Sequence, residues 1–190
     1  MKSWSVYIKN FQSYLRIERG LSVHTVTNYT FDINRLCSYL ETSGIEVSPV
    51  KITEETLQQF IYSVSAEVNA RSQARIISGL KSFFSWMIFE DHRADNPLEL
   101  IETPKTGRKL PDTLSVDDID NLIAAIDLSK EEGERNRAMI ETLYGCGLRV
   151  SELVSLKISD LFFDEGFVKV TGKGNKQRFV PIGGLTQKYI

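Results

Sequence analysis

Four cations and one acid near the C-terminal end of this sequence are of the types that could act on a phosphate. Arg149 follows Tyr-Gly-Cys-Gly-Leu (144–148) and heads a short helical stretch, with Glu152 three residues on. A later run, VKVTGKGNKQRFVPIGG (168–184), carries Lys173, Lys176 and Arg178 around Gly172 and Gly174. A guanidinium at a helix start presents a fixed fork of donors to an anion, and the helix terminus adds its own positive end. An ammonium between two glycines can reach into a groove or towards a leaving oxygen. The spacing places Glu152 where it can brace Arg149 from one helical turn away. The plainer readings are an exposed Arg–Glu pair, contributing about 0–1 kcal/mol, and a solvated turn whose lysine protects a sheet edge.

Whole-chain charge does not point to a polyanion partner. The 190 residues carry 23 Lys and Arg against 25 Asp and Glu, a formal charge of −2, and nucleic-acid binders are more often basic. The layout is uneven, however. Acids are absent from 68–89, which holds Arg71, Arg75 and Lys81. They are absent from 103–111, with Lys105, Arg108 and Lys109, and from 166–190, with Lys169, Lys173, Lys176, Arg178 and Lys188. Residues 112–134 are strongly acidic. Salt screens charges over about 8–10 Å, so local clusters set the field a polyanion meets. The sequence shows no apolar run long enough for a membrane helix and no signal-peptide pattern. Cys37 and Cys146 lack metal-type spacing, and the expectation is free thiols in a reducing cytoplasm.

The elements that must position these groups fall in two halves. Apolar residues at helical spacing over 4–19 (Trp4, Tyr7, Ile8, Phe11, Tyr14, Leu15) predict a helix ended by Gly20. Ser22 caps a second, ending at Gly44, whose inner face is Val23, Val26, Tyr29, Ile33, Leu36, Cys37 and Leu40. Thr53 caps a third, and a fourth spans 70–91. Its Phe83, Phe84, Trp86 and Phe89 are read as core and packing residues, not base-stacking ones. Residues 97–114, with Pro97, Pro104, Gly107 and Pro111, are read as an exposed linker. Ser115 with Asp118 opens a further helix in a capping box, another runs to Gly147, and a short one spans RVSELVSLKISDL (149–161). FVKVTG and QRFVPI alternate as the strands of a hairpin. The expected class is mainly α, a four-helix bundle over 1–96 joined to an α+β part over 115–190 with a β-hairpin or small antiparallel sheet. The second part looks thin for an independent core.

TLYGCGLRVSEL…LKISDLFFDEGFVKVTGKGNKQRFVPI resembles the tyrosine site-specific recombinases, within them the Xer and phage-integrase-like group. Their pattern is G-x-R-x-x-E-L followed by a G-K-G-x-K-x-R hairpin and a strand ending in Pro. FQSYLRIERGLSVHTVTNYTFDINRLCSYL and ARSQARIISGLKSFFSWMIFEDHRADNPLELIETPK resemble the family's opening and fourth helix, so the likeness covers nearly the whole chain. It implies a SAM-like core-binding domain clamping one face of duplex DNA, and part of a catalytic domain gripping the other. Arg149 matches the first catalytic arginine, which binds the scissile phosphate. Lys173 matches the hairpin lysine that protonates the departing 5′ oxygen, and Glu152 the acid that positions the arginine. The implied reaction is cleavage by a tyrosine hydroxyl through a 3′-phosphotyrosyl intermediate, without metal or other cofactor, in a tetramer of recombinases on two duplexes.

Further DNA contacts are expected from Thr25 and from Arg71, Ser72, Arg75 and Lys81 on the fourth helix. Lys105, Arg108 and Lys109 along the linker, and Lys176 and Arg178 on the hairpin, complete the set. Asn28 and Gln73 are candidates to read a base edge. The family's H-x-x-R box and nucleophilic tyrosine have no counterpart here: His24 and His92 lie in the N-terminal half, and nothing around Tyr189 resembles the nucleophile's setting. The expectation is therefore a catalytically incomplete, DNA-binding fragment of a recombinase acting in chromosome-dimer resolution or mobile-element integration. The alternatives are a naturally short, catalytically dead DNA-binding regulator of recombination sites and a helical interaction module without DNA function.

Overall fold

The computed structural model describes every residue except Met1, Thr106, Arg108 and Lys109. The chain divides into two compact units, Met1–Lys109 and Leu110–Ile190.

In the first unit, α1 (Lys2–Ser13) runs into a π-helical turn, Tyr14–Glu18, and Gly20 takes the left-handed conformation at φ +57° that lets the chain turn away. The next three helices are α2 (Val23–Thr42), α3 (Glu54–Glu67) and α4 (Ala70–Phe89). Each starts where a side-chain oxygen accepts an otherwise unpaired backbone N–H: Ser22 from Thr25, Thr53 from Thr56, and Asn69 from Ser72. Phe11, Ile33, Leu36, Leu57, Phe60, Leu80, Phe83 and Phe84 are buried completely or nearly so. Burying side chains of this kind contributes about 1.5–3 kcal/mol each. The rings of Phe11 and Phe83 meet edge to face at 5.3 Å.

Two residues read as inward-facing are exposed. Val23 is the first residue of α2, before the stripe closes on the core, and Phe89 is the last of α4, its ring 5.8 Å from that of Tyr14. The start of the stretch read as an exposed linker instead packs on this unit. Leu98 is buried in its core, and Lys81 donates from Nζ to the carbonyls of Ile101 at 2.8 Å and Glu99 at 3.3 Å.

The second unit has α5 (Val116–Ala124), α6 (Glu131–Cys146) and α7 (Val150–Val154). The expected capping box is present: Ser115 Oγ accepts from the Asp118 amide at 3.1 Å, and Asp118 Oδ2 from the Ser115 amide at 2.9 Å. α7 is shorter than the sequence suggested. It ends at Val154, and Ile158–Asp160 forms a 3-10 turn before β1 (Leu161–Phe162). β1, β2 (Phe167–Thr171) and β3 (Gln177–Pro181) make an antiparallel sheet in that order, with Val170 opposite Arg178. Val168 and Val170 point inward beside Cys146, Leu148 and Ile182, so Cys146 is a core residue as expected. A last helix, α8 (Gly184–Gln187), packs on α6 so closely that a Cβ on Gly145 would lie 2.4 Å from Thr186 Oγ1.

Candidate functional site

The turn from α6 to α7 sets the direction of Arg149. Gly147 closes α6 in the left-handed region at φ +59°, where its N–H reaches the Leu143 carbonyl. Leu148 then inserts into the core, and Arg149 becomes the N-cap residue of α7 with its side chain 75% exposed. Glu152, one turn on, points back. Its Oε2 accepts the Arg149 backbone N–H at 2.9 Å and its Oε1 accepts Arg149 Nη1 at 3.0 Å. The brace read from the spacing is therefore present, and it holds the arginine by both main chain and side chain.

Glu152 also holds the hairpin. Arg178 on β3 lays its fork across the same carboxylate, Nη1 to Oε1 at 2.8 Å and Nη2 to Oε2 at 2.9 Å. Four donors thus fill the acceptor positions of one carboxylate that is itself only 3% exposed. The hairpin approaches this closely because residue 172 is glycine: a Cβ there would lie 3.2 Å from Glu152 Oε1 and 3.4 Å from Arg178 Nη1. Arg178, then Arg149, hold the Glu152 carboxyl down from its ordinary 4.5 to about 2, against the opposing effect of burial. The cluster keeps an excess positive charge, two guanidiniums against one carboxylate.

The hairpin tip is a tight turn closed by the Gly172 amide donating to the Lys176 carbonyl at 2.8 Å. Lys173–Asn175 form the tip, with Gly174 (φ +74°) and Asn175 (φ +59°) both left-handed. Asn is among the side chains that tolerate this conformation. Lys173 and Lys176 are exposed, and neither side-chain ammonium has a hydrogen-bond or ion-pair partner among the described residues. The two candidate catalytic cations therefore sit on elements pinned to one another through Glu152: Arg149 with most of its fork open, Lys173 free at the tip. Arg178, read as a DNA contact, has both terminal nitrogens committed to Glu152. The absence of acids from 166–190 hid this, because the pairing acid comes from α7. Likewise Lys169 pairs with Asp160 at 3.0 Å.

The N-terminal candidates divide in the same way. Arg71 and Lys105 are exposed, and Ser72 is partly exposed at the start of α4. Thr25 sits in the first turn of α2 with its hydroxyl 3.0 Å from Ser22 Oγ. Lys81 is occupied by the two carbonyls described above. Arg75 donates from Nη1 to Asp32 Oδ2 at 2.6 Å, so the acid-free α4 takes its acid from α2. Asn28 is exposed and Gln73 partly so. Arg108 and Lys109 lie outside the described residues. Tyr189 lies beneath Arg137, whose guanidinium carbon is 4.1 Å from the ring centre.

Comparison with known proteins follows the same two halves. The phage integrase family model matches residues 112–190, and the phage integrase N-terminal SAM-like domain model matches residues 8–91. The tyrosine recombinase XerD of Oceanobacillus iheyensis is 40% identical over 184 residues, which cover 96% of this chain and 62% of that protein. Among solved structures, a lambda integrase (75–356) dimer bound to a COC′ core site is similar with a TM-score of 0.72 at 22% identity, covering 93% of this chain and 61% of that one. A lambda integrase tetramer bound to a Holliday junction gives 0.72 at 22% identity, covering 93% and 50%. The chain thus spans less than two thirds of the length of each of these proteins. At such identities the two structures speak for the fold.

Proposed function

The chain belongs to the phage integrase family, and from that premise we propose that it serves site-specific DNA recombination as the duplex-gripping and phosphate-binding part of a tyrosine recombinase. The observation that carries this reading is the shared carboxylate of Glu152, which fixes Arg149 and the Lys173 hairpin to one another. Residues 1–96, with the packed stretch 97–101, act as the core-binding domain, the remainder up to 114 as the linker and 115–190 as part of the catalytic domain. Double-stranded DNA is the partner. The dimeric and tetrameric DNA complexes of lambda integrase support assembly of several recombinases on it.

In the proposed site the open donors of Arg149 receive the non-bridging oxygens of a scissile phosphate. A transition state that gathers charge on those oxygens is stabilised most by donors already in place, and loss of one such donor costs about 10²–10³ in rate. Glu152 supplies that order, because it holds Arg149 at two points before any phosphate arrives. Lys173 donates a proton to the departing 5′ oxygen, a role suited to an unpaired ammonium on a short, closed turn. Attack on phosphorus by a tyrosine hydroxyl, which forms the 3′-phosphotyrosyl bond as the 5′ oxygen leaves, is assigned to none of the described residues.

The test is binding of a labelled mixed-sequence duplex measured by fluorescence anisotropy. Affinity falls steeply between about 50 and 200 mM salt if phosphates are the contact, and Arg149→Ala weakens it. Affinity that ignores salt contradicts the reading.

A further inference from the structure

The crossing of α2 and α4 holds a charge that packing alone does not call for. Asp32 is wholly buried. Its Oδ2 accepts from Arg75 Nη1 at 2.6 Å, while its Oδ1 has no hydrogen-bond partner among the described residues. Gly79, one turn beyond Arg75 on the same face of α4, makes room for the carboxylate: a Cβ there would lie 2.7 Å from Oδ2. A buried carboxylate with one oxygen unfilled is costly, and one ion pair rarely repays the lost hydration. Burial raises the Asp32 carboxyl above its ordinary range, although Arg75 draws it down. For cohesion of the core, an apolar side chain of similar volume would serve better.

The pair makes more sense by what it does to Arg75. That side chain is 43% exposed, and only its Nη1 is engaged among the described residues. Arg71 lies one turn earlier on the same face of α4 and is exposed. A free arginine loses rotamer freedom when it meets a phosphate, whereas one already tied at one nitrogen does not. From this geometry we infer that Asp32 is a positioning residue, holding Arg75 on the surface of α4 with its remaining donors set for a backbone phosphate of duplex DNA. The inference rests on the DNA-binding reading above and adds to it a buried acid whose role is to orient a contact.

The sign of one substitution separates this role from simple charge. Removal of an acid beside bound DNA should tighten binding if charge alone matters. Positioning requires the opposite. Asp32→Asn keeps an acceptor for Arg75 but loses the charge-assisted bond, so its hold loosens and binding of a short mixed-sequence duplex weakens by about 3- to 10-fold, up to the cost of immobilising one long side chain. The slope of log affinity against log salt is kept, because Arg75 still reaches its phosphate. Arg75→Gln lowers that slope by about 0.9, and in its background Asp32→Asn brings no further loss. Thermal melts by circular dichroism accompany each variant. Asp32→Asn retains the fold, since it removes the buried charge without changing shape. If Arg75→Gln strands Asp32 and fails to fold, Arg75→Lys replaces it, with the slope kept and affinity reduced because an ammonium cannot hold acid and phosphate in one fork. Tighter or unchanged binding by Asp32→Asn overturns the inference, as does an equal loss in the Arg75→Gln background. If the parent chain binds the duplex with a steep salt dependence and these variants change nothing, only this inference fails. If the parent shows no salt-dependent binding, the DNA-binding reading fails with it.

Discussion

Acid titration of Glu152 tests the clamp at its centre. The carboxyl accepts from the Arg178 fork, the Arg149 amide and the Arg149 guanidinium, all within 2.8–3.0 Å. Each of these donors favours the ionised form, and together they outweigh burial, so protonation is displaced from 4.5 to about 2. That displacement weakens proton affinity roughly three-hundred-fold. The linkage to stability has a definite sign. A carboxyl that titrates lower in the folded state than in the unfolded state contributes fully above about pH 4.5, and its contribution is lost as pH falls towards 2. Glu152→Gln removes the charge and turns one acceptor into a donor facing a guanidinium or an amide. The melting temperature of the parent should therefore exceed that of the variant by a margin that is constant above pH 4.5 and narrows towards pH 2. Asp118, Asp127 and Asp160 also titrate low through their own partners, but they are common to both proteins and cancel in the difference. Carbon-13 NMR of the Glu152 carboxyl gives the same quantity directly. A midpoint near 4.5, or a margin that does not change across this range, would refute the four-donor clamp.

Two other consequences concern the N-terminal unit. Gly79→Ala places a Cβ 2.7 Å from Asp32 Oδ2 and should destabilise the unit by about 1–3 kcal/mol in urea unfolding; an unchanged midpoint would mean that the helices do not approach so closely. Lys81→Met releases the carbonyls of Glu99 and Ile101, and limited proteolysis within 97–105 should accelerate while the rest of the unit remains resistant.

Much of this was legible in the sequence because local signals agreed with tertiary demands. Ser22, Thr53 and Ser115 mark helix starts by chemistry that acts over three residues, and the alternation in FVKVT puts Val168 and Val170 on one face. The Arg149–Glu152 brace was readable for the same reason, as it lies within one turn. What escaped were pairings between elements. The acid-free windows at 68–89 and 166–190 suggested free cations, yet Arg75 meets Asp32 and Arg178 meets Glu152 across 43 and 26 positions of sequence. Gly79 and Gly172 were the available signals. Each is a missing side chain where a carboxylate must pass, but a glycine names no partner until the fold is known. The early end of α7 escaped because the pattern in SLKISDL does not distinguish a helix from a 3-10 turn entering a strand.

In the proposed division of labour within one cluster, Arg149 and Lys173 meet the phosphate, while Arg178 serves the carboxylate. Side-chain nitrogen-15 NMR during titration of the chain with duplex DNA observes all three at once. With this division, the Arg149 guanidinium and Lys173 ammonium resonances move with added DNA, while the Arg178 guanidinium stays at its Glu152-bound position. A moving Arg178 beside an unmoved Arg149 would contradict it.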